Sequence, residues 1–182
     1  MSERKRLLLH TCCAPCASHV IDVLATDYDI SLFFYNPNIE PFEEFLKRKE
    51  ELFSLLSKMP SARHVRLLDS EYDNEAFSAV AEGLRAEPEG GARCANCFKL
   101  RLTESARFAK THGFEFFATT LTVSPHKNAS LINEIGERLS SSVGVAYLSS
   151  DFKKQGGYQR STLLSKQYGL YRQSYCGCKE YS

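Results

Sequence analysis

Seven cysteines fall into three short groups: Cys12, Cys13 and Cys16; Cys94 and Cys97; Cys176 and Cys178. A lone buried cysteine is ordinarily a small core residue. Grouping at such close spacing is instead the pattern of metal ligation or thiol redox chemistry, and an odd total argues against a pure disulfide framework. Cys94-Ala95-Asn96-Cys97 stands at the expected start of a helix, where unpaired amides and the positive dipole end favour thiolate over thiol. By itself this spacing fits a redox pair, a zinc half-site or half of an iron–sulfur site. In Cys12-Cys13-Ala14-Pro15-Cys16 a turn forced by Pro15 after a strand aims neighbouring sulfurs into one pocket. Those two groups supply five thiols, more than one tetrahedral zinc takes. Cys176-Gly177-Cys178 adds two more, Gly177 permitting a tight backbone. Soft thiolates select zinc or iron–sulfur clusters, and three groups together favour a redox iron–sulfur site over purely structural zinc. Four thiols for a [4Fe–4S] cluster leave three for a second metal, or for dithiol–disulfide exchange at Cys176 and Cys178. A C-x3-C-x2-C radical signature, a GxGxxG fingerprint and a Walker loop are absent.

These groups need elements to hold them. Apolar runs predict strands over 6–11, 29–35, 65–68, 114–121 and 145–148. Helical spacing covers 17–25, 41–57, 74–84, 94–111, 130–139 and about 160–168, with Phe42, Phe45, Leu52, Phe53 and Leu56 as apolar surface of the second. Residues 87–92 and 122–127 are loops. Alternating strands and helices imply an α/β domain with a parallel sheet between helix layers, spanning 1–182 without a linker. Ligands gather beyond the carboxyl ends of such strands, where Cys12 and the 122–127 loop begin.

Composition is that of an ordinary globular protein, with 43% hydrophobic and 25% charged residues. No apolar run is long enough to cross a bilayer, and the basic start precedes only Leu7-Leu8-Leu9 before His10, too short for a signal peptide. A reducing cytoplasmic location is therefore expected. The net charge of +1 is uneven: residues 151–182 carry +4, from six cations against Asp151 and Glu180, leaving −3 elsewhere. That basic segment is either a solvated helix face or a polyanion-binding surface.

Further strings complete a pattern: His10 to Cys16, Tyr35-Asn36-Pro37-Asn38-Ile39, Glu89 to Cys94, Thr119 to Lys127, Asp151-Phe152-Lys153-Lys154 and Leu170 to Cys178. In that order they resemble the cobalamin-independent epoxyqueuosine reductase family, QueH, from about residue 7 to the C-terminus. The resemblance implies reduction of epoxyqueuosine to queuosine at the wobble position of tRNAs with GUN anticodons, the last step of queuosine biosynthesis. It also implies a three-layer sandwich like the adenine-nucleotide hydrolases and tRNA thiolases. Their Ser-Gly-Gly-x-Asp-Ser loop is replaced here by residues 12–16, so ATP use is not expected, nor is flavin or cobalamin. On the same basis Cys12, Cys13, Cys94 and Cys97 hold a [4Fe–4S] cluster, leaving Cys16, Cys176 and Cys178 for a second, mononuclear iron or a redox-active pair. Many family members carry aspartate where Cys16 stands, which suits a ligand position. The basic segment 151–182 would close the metal site.

His10, His126, Asp151 and Tyr175 are candidate proton donors or orienters for epoxide reduction, with His126 favoured by its place in a polar turn at the ligand edge. For His10 and Tyr175 the plainer roles are capping the strand's end and packing. Lys127, Lys153, Lys154, Arg160 and Arg172 are candidate tRNA-phosphate contacts, and Tyr35, Phe152 and Tyr158 candidate stacking partners for a flipped base. An electron donor must also exist, though no residue identifies it. Two rivals stand beside this reading: a cluster-dependent tRNA thiolase, and a non-enzymatic zinc-stapled RNA-binding module.

Overall fold

Leu7, Leu8 and Leu9 are consecutive and wholly buried, which a strand permits only when both of its faces are covered. The computed structural model, which describes residues 4–178, places them in β1 (Lys5–His10) at the centre of the sheet. Lys179 and Glu180 of the basic segment lie outside the described residues. Leu7 and Leu9 pack on one side with Ala17, Val20 and Ile21 of α1 (Ala14–Leu24) and with Phe45, Leu52 and Leu55 of α2 (Phe42–Lys58). Leu8 faces the other side, against Ala106 and Ala109 of α4 (Ala92–Thr111). In between come β2 (Tyr28–Phe33), β3 (Arg66–Leu68) and α3 (Asn74–Ala81); β4 (Phe116–Thr119), α5 (Ala129–Val143), β5 (Ala146–Tyr147) and α6 (Gly157–Tyr168) follow. All pairings are parallel, in the order β3-β2-β1-β4-β5. Helix α1 packs on α2 and α6, and α4 on α3 and α5, giving the expected three layers.

The strand order reverses between β1 and β4, so their carboxyl ends flank the sheet's switch point. Cys12 follows β1, and Thr120–Val123 forms a 3-10 turn directly after β4, where the strand was expected to run on to Leu121 and a loop to begin at Thr122. The first helix starts earlier than its apolar spacing suggested. Pro15 sits in its first turn, where the missing N–H costs nothing, so Cys16 rides on α1 rather than in a turn. On α2, Phe42 and Phe53 are 46% and 56% exposed, because they lie about 60–100° round the helix from the buried Phe45 and Leu52 stripe.

Gly157 starts α6 under tight constraint: a Cβ there would sit 1.7 Å from the Phe152 carbonyl oxygen and 2.6 Å from His19 Nε2. Backbone cannot yield as a flexible side-chain tip can. Gly157→Ala is expected to cost at least about 3 kcal/mol, read as a thermal shift of about 6 °C or more. An unshifted melting curve would show that this turn repacks freely.

A candidate metal centre at the switch point

The first thiol group is built by the junction of β1 and α1. Cys13 is the N-cap of α1 in extended conformation, Cys12 precedes it and Cys16 lies in the first turn. Their three sulfurs lie within 4.8 Å of one another, Cys12 and Cys13 being 3.8 Å apart. Four thiolates bonded tetrahedrally to one ion at 2.3 Å would be separated by about 3.8 Å. The trio thus has the spacing of a metal site with a position left open. Hydrogen bonds from Cys13 and Cys16 hold the Cys12 thiol well below its ordinary range, with Arg101 and Lys127 adding their charge and burial opposing. Cys13, next to that thiolate, is pushed up to about 12.

The second and third groups meet around a smaller cavity of about 30 Å³, lined by Cys94, Cys97, Cys176 and Cys178. Cys94 and Cys97 occupy the first turns of α4, as the spacing required. The Gly90 N–H donates to Cys94 Sγ (3.2 Å). Burial pushes the Cys97 thiol up to about 12, and Arg101 Nη1 stands 3.9 Å from its sulfur. Gly177 has φ +144°, and a Cβ there would come within 2.9 Å of Asn38 Nδ2 and 3.3 Å of the Ile39 backbone, so the Cys-Gly-Cys turn needs its glycine. Arg48 of α2, itself buried and paired with Glu44 (2.7 Å), donates to the carbonyls of Cys176 (2.9 Å) and Tyr175 (3.2 Å). The Tyr175 hydroxyl donates to the Glu40 carbonyl. The C-terminal thiols are thereby tied down.

Above the trio opens a cavity of about 370 Å³. Its wall includes Cys12, Cys13, Cys16 and Cys176, so Cys176 borders both cavities, as do His126 and Lys127. Burial alone would pull the Lys127 ammonium down, but Cys176 and Cys12 beside it raise it instead. Lys127 is therefore a fixed cation between the thiol groups. Of the other expected cations, Arg172 lines the large cavity. Lys153 and Lys154 pair with Asp151 (3.0 and 3.4 Å), and Arg160 with Asp22 (3.0 Å); none of these lines the wall. Tyr158 and Tyr175 are the aromatic rings on that wall. Tyr35 instead stacks on Phe33, and Phe152 packs edge-on against His19.

His10 is fully buried and takes the plainer of its two roles. Its Nε2 donates to the Tyr35 carbonyl (3.0 Å) and its Nδ1 accepts from Thr119 Oγ1 (2.9 Å). Burial, reinforced by Arg101, drives its pKa down to about 3, so it caps β1 as a neutral imidazole.

Sequence reasoning missed Arg101. It is 1% exposed, donates to Asn36 Oδ1 (2.6 Å), and faces Cys97 and Cys12 with its charge. The signal was available: Cys94, Cys97 and Arg101 recur at i, i+3, i+7, one face of a helix. A cation on an otherwise inward stripe has to meet a buried anion. Gln173, also on the cavity wall, was likewise unmarked.

A family model described as epoxyqueuosine reductase QueH matches residues 7–182. Relatives named epoxyqueuosine reductase QueH include a Staphylococcus epidermidis protein, 43% identical over 97% of this chain and 76% of its own length. One from Streptococcus pyogenes is 40% identical, covering 97% of this chain and 70% of the relative. One from Thermotoga maritima is 37% identical, covering 94% and 88%.

Proposed function

The chain belongs to the epoxyqueuosine reductase QueH family, and from that premise we propose how its thiols and cavity carry the reaction. It is an oxidoreductase that reduces epoxyqueuosine to queuosine. The substrate is tRNA bearing epoxyqueuosine at the wobble position, met in the cytoplasm. No helix among the described residues is long and apolar enough to cross a membrane.

The observation that carries the mechanism is the set of three thiols within 4.8 Å on the floor of a cavity with cations and aromatic rings on its wall. The donor set fits iron: soft thiolates, a backbone N–H on Cys94 and buried cations to balance charge. The [4Fe–4S] cluster is assigned to Cys12, Cys13, Cys94 and Cys97. Support comes from Arg101, whose charge acts on both Cys12 and Cys97, and from Cys12 and Cys94 packing on the same apolar group of Phe98, Leu102, Leu121 and Ile132. Cys16 would help hold a second iron, and Cys176 and Cys178 would pass from dithiol to disulfide as the two electrons of one turnover leave through that iron, an external electron donor restoring the dithiol. Iron held by these thiolates would pass electrons one at a time. Opening the epoxide to an alkene consumes two electrons and two protons and releases water.

The protein's own groups do the rest. Lys127 stabilises negative charge as it develops on the leaving oxygen. His126, exposed at the rim, relays protons from solvent. Tyr158 stacks on the extruded base, while Arg172 and Lys154 hold phosphate and Asp151 orients the Lys153–Lys154 pair. Arg160 extends the same basic face.

Anaerobic purification, iron and sulfide analysis, and reaction of epoxyqueuosine-containing tRNA with dithionite test this reading. Four or five irons per chain with conversion to queuosine are expected. A zinc-only protein that leaves the epoxide intact would hand the case to a non-enzymatic RNA-binding module; ATP-dependent sulfur transfer would make it a thiolase. For tRNA affinity, Lys154→Ala and Arg172→Ala are each expected to reduce the salt-dependence slope by about 1. An unchanged slope in both variants would remove them from phosphate contact.

A further inference from the structure

Asn36 and Asn38 lie on one turn after β2, and both are fully buried. Asn36 uses both ends of its carboxamide: Nδ2 donates to the Thr11 carbonyl (2.8 Å) and Oδ1 accepts from Arg101 (2.6 Å). Asn38 uses neither. Among the described residues, no group bonds its Nδ2 or its Oδ1. A buried amide left unmatched costs the desolvation of each group with nothing returned. A leucine of similar volume would avoid that cost, so the amide needs another reason to be there.

Its surroundings supply one. Asn38 lines the smaller cavity with Cys94, Cys97, Cys176 and Cys178. The Gly177 turn packs close to its amide: a Cβ at Gly177 would come within 2.9 Å of Asn38 Nδ2. On the same cavity wall the Gly90 N–H already donates to Cys94 Sγ. An unsatisfied donor on a cavity wall shared with four thiols is complementary to electron-rich sulfur.

We propose that Asn38 is a positioning residue of the electron-transfer centre: its Nδ2 donates to sulfur of the iron–sulfur group held at Cys94 and Cys97, and raises that group's reduction potential. This rests on the iron–sulfur reading above. N–H donors to sulfur draw off negative charge and so favour the reduced form, which carries more of it. The alternative partner for the amide is water, since a cavity of about 30 Å³ has room for at least one molecule.

The test uses anaerobically purified, iron-loaded protein, compared as wild type, Asn38→Leu and Asn38→Asp by potentiometric titration with iron and sulfide analysis. At equal iron content the midpoint potential is expected to fall from wild type to Asn38→Leu, which loses the donor. It falls further in Asn38→Asp, which keeps the shape and adds negative charge. Coincident potentials in the three iron-loaded proteins overturn the proposal. Wild-type protein without iron and sulfide overturns the iron–sulfur reading itself, a different result. A second measurement is independent of the cluster. In chelator-stripped protein Asn38→Leu is expected to melt about 2–4 °C higher than wild type, because it removes an amide with no partner. If it melts lower, Asn38 is bonded to internal water and serves the fold.

Discussion

Cys97→Ala is expected to strip the bound iron and to lower epoxyqueuosine reduction at least about 10²-fold, beyond the 10–100-fold typical of losing an outer-shell partner. Cys97 is 6% exposed, sits one turn into α4 and is the thiol closest to Arg101. Alanine at that helical position leaves the backbone undisturbed, so the loss isolates the sulfur. Cys94→Ala and Cys12→Ala should match it in iron content. Cys176→Ser and Cys178→Ser should keep their iron yet fail to complete turnover, the result expected of the proposed dithiol pair. The opposite pattern, with iron lost at Cys176 and Cys178 and retained at Cys12, would transfer the cluster to the four cysteines around the smaller cavity. Iron and sulfide per chain, set beside single-turnover conversion, separates the two cases.

Arg101→Met should be the most damaging change among residues without a thiol. The guanidinium is buried, holds Asn36 and lies against Cys97. Methionine fills similar volume but leaves Asn36 Oδ1 unpaired and the Cys12 thiolate with one counter-charge fewer. Removing one partner of a buried charged pair costs about 3–5 kcal/mol, equivalent to a melting-temperature loss of about 10 °C for a chain of this size. Arg101→Lys keeps the charge but not the planar fork that reaches Asn36 and Cys97 together, so it should recover iron binding more than stability. A melting curve of Arg101→Met within a degree or two of wild type would show that Arg101 is dispensable to the site.

The plain loss at Gly157→Ala and the salt-slope changes at Arg172 and Lys154 probe other levels: one the backbone at the entry of α6, the other the basic face. Together with the thiol and arginine variants they separate folding, metal retention and tRNA contact.

Much of this was legible in the residues. Apolar runs marked five strands and helical spacing six helices, because a parallel strand covered on both faces carries consecutive apolar residues, as Leu7 to Leu9 show. The three thiol groups were visible for a similar reason: ligands to one centre need short local spacing. What spacing could not supply was the partition of sulfurs between cavities. Cys12 and Cys94 are 82 positions apart, and their approach depends on β1 and α4 packing through Leu8 and Ala106. Nor could a lysine's type show its role. Lys127 stands half-buried beside Cys12 and Cys176, whereas Lys153 and Lys154, equally basic in the sequence, are held by Asp151. The sequence by itself determined which elements form and which side chains carry chemistry, because periodicity and ligand spacing are local properties. Only the tertiary structure decided which charges become buried partners of the thiols and which amide is left unsatisfied, because desolvation and Coulomb terms depend on neighbours the chain brings together from afar.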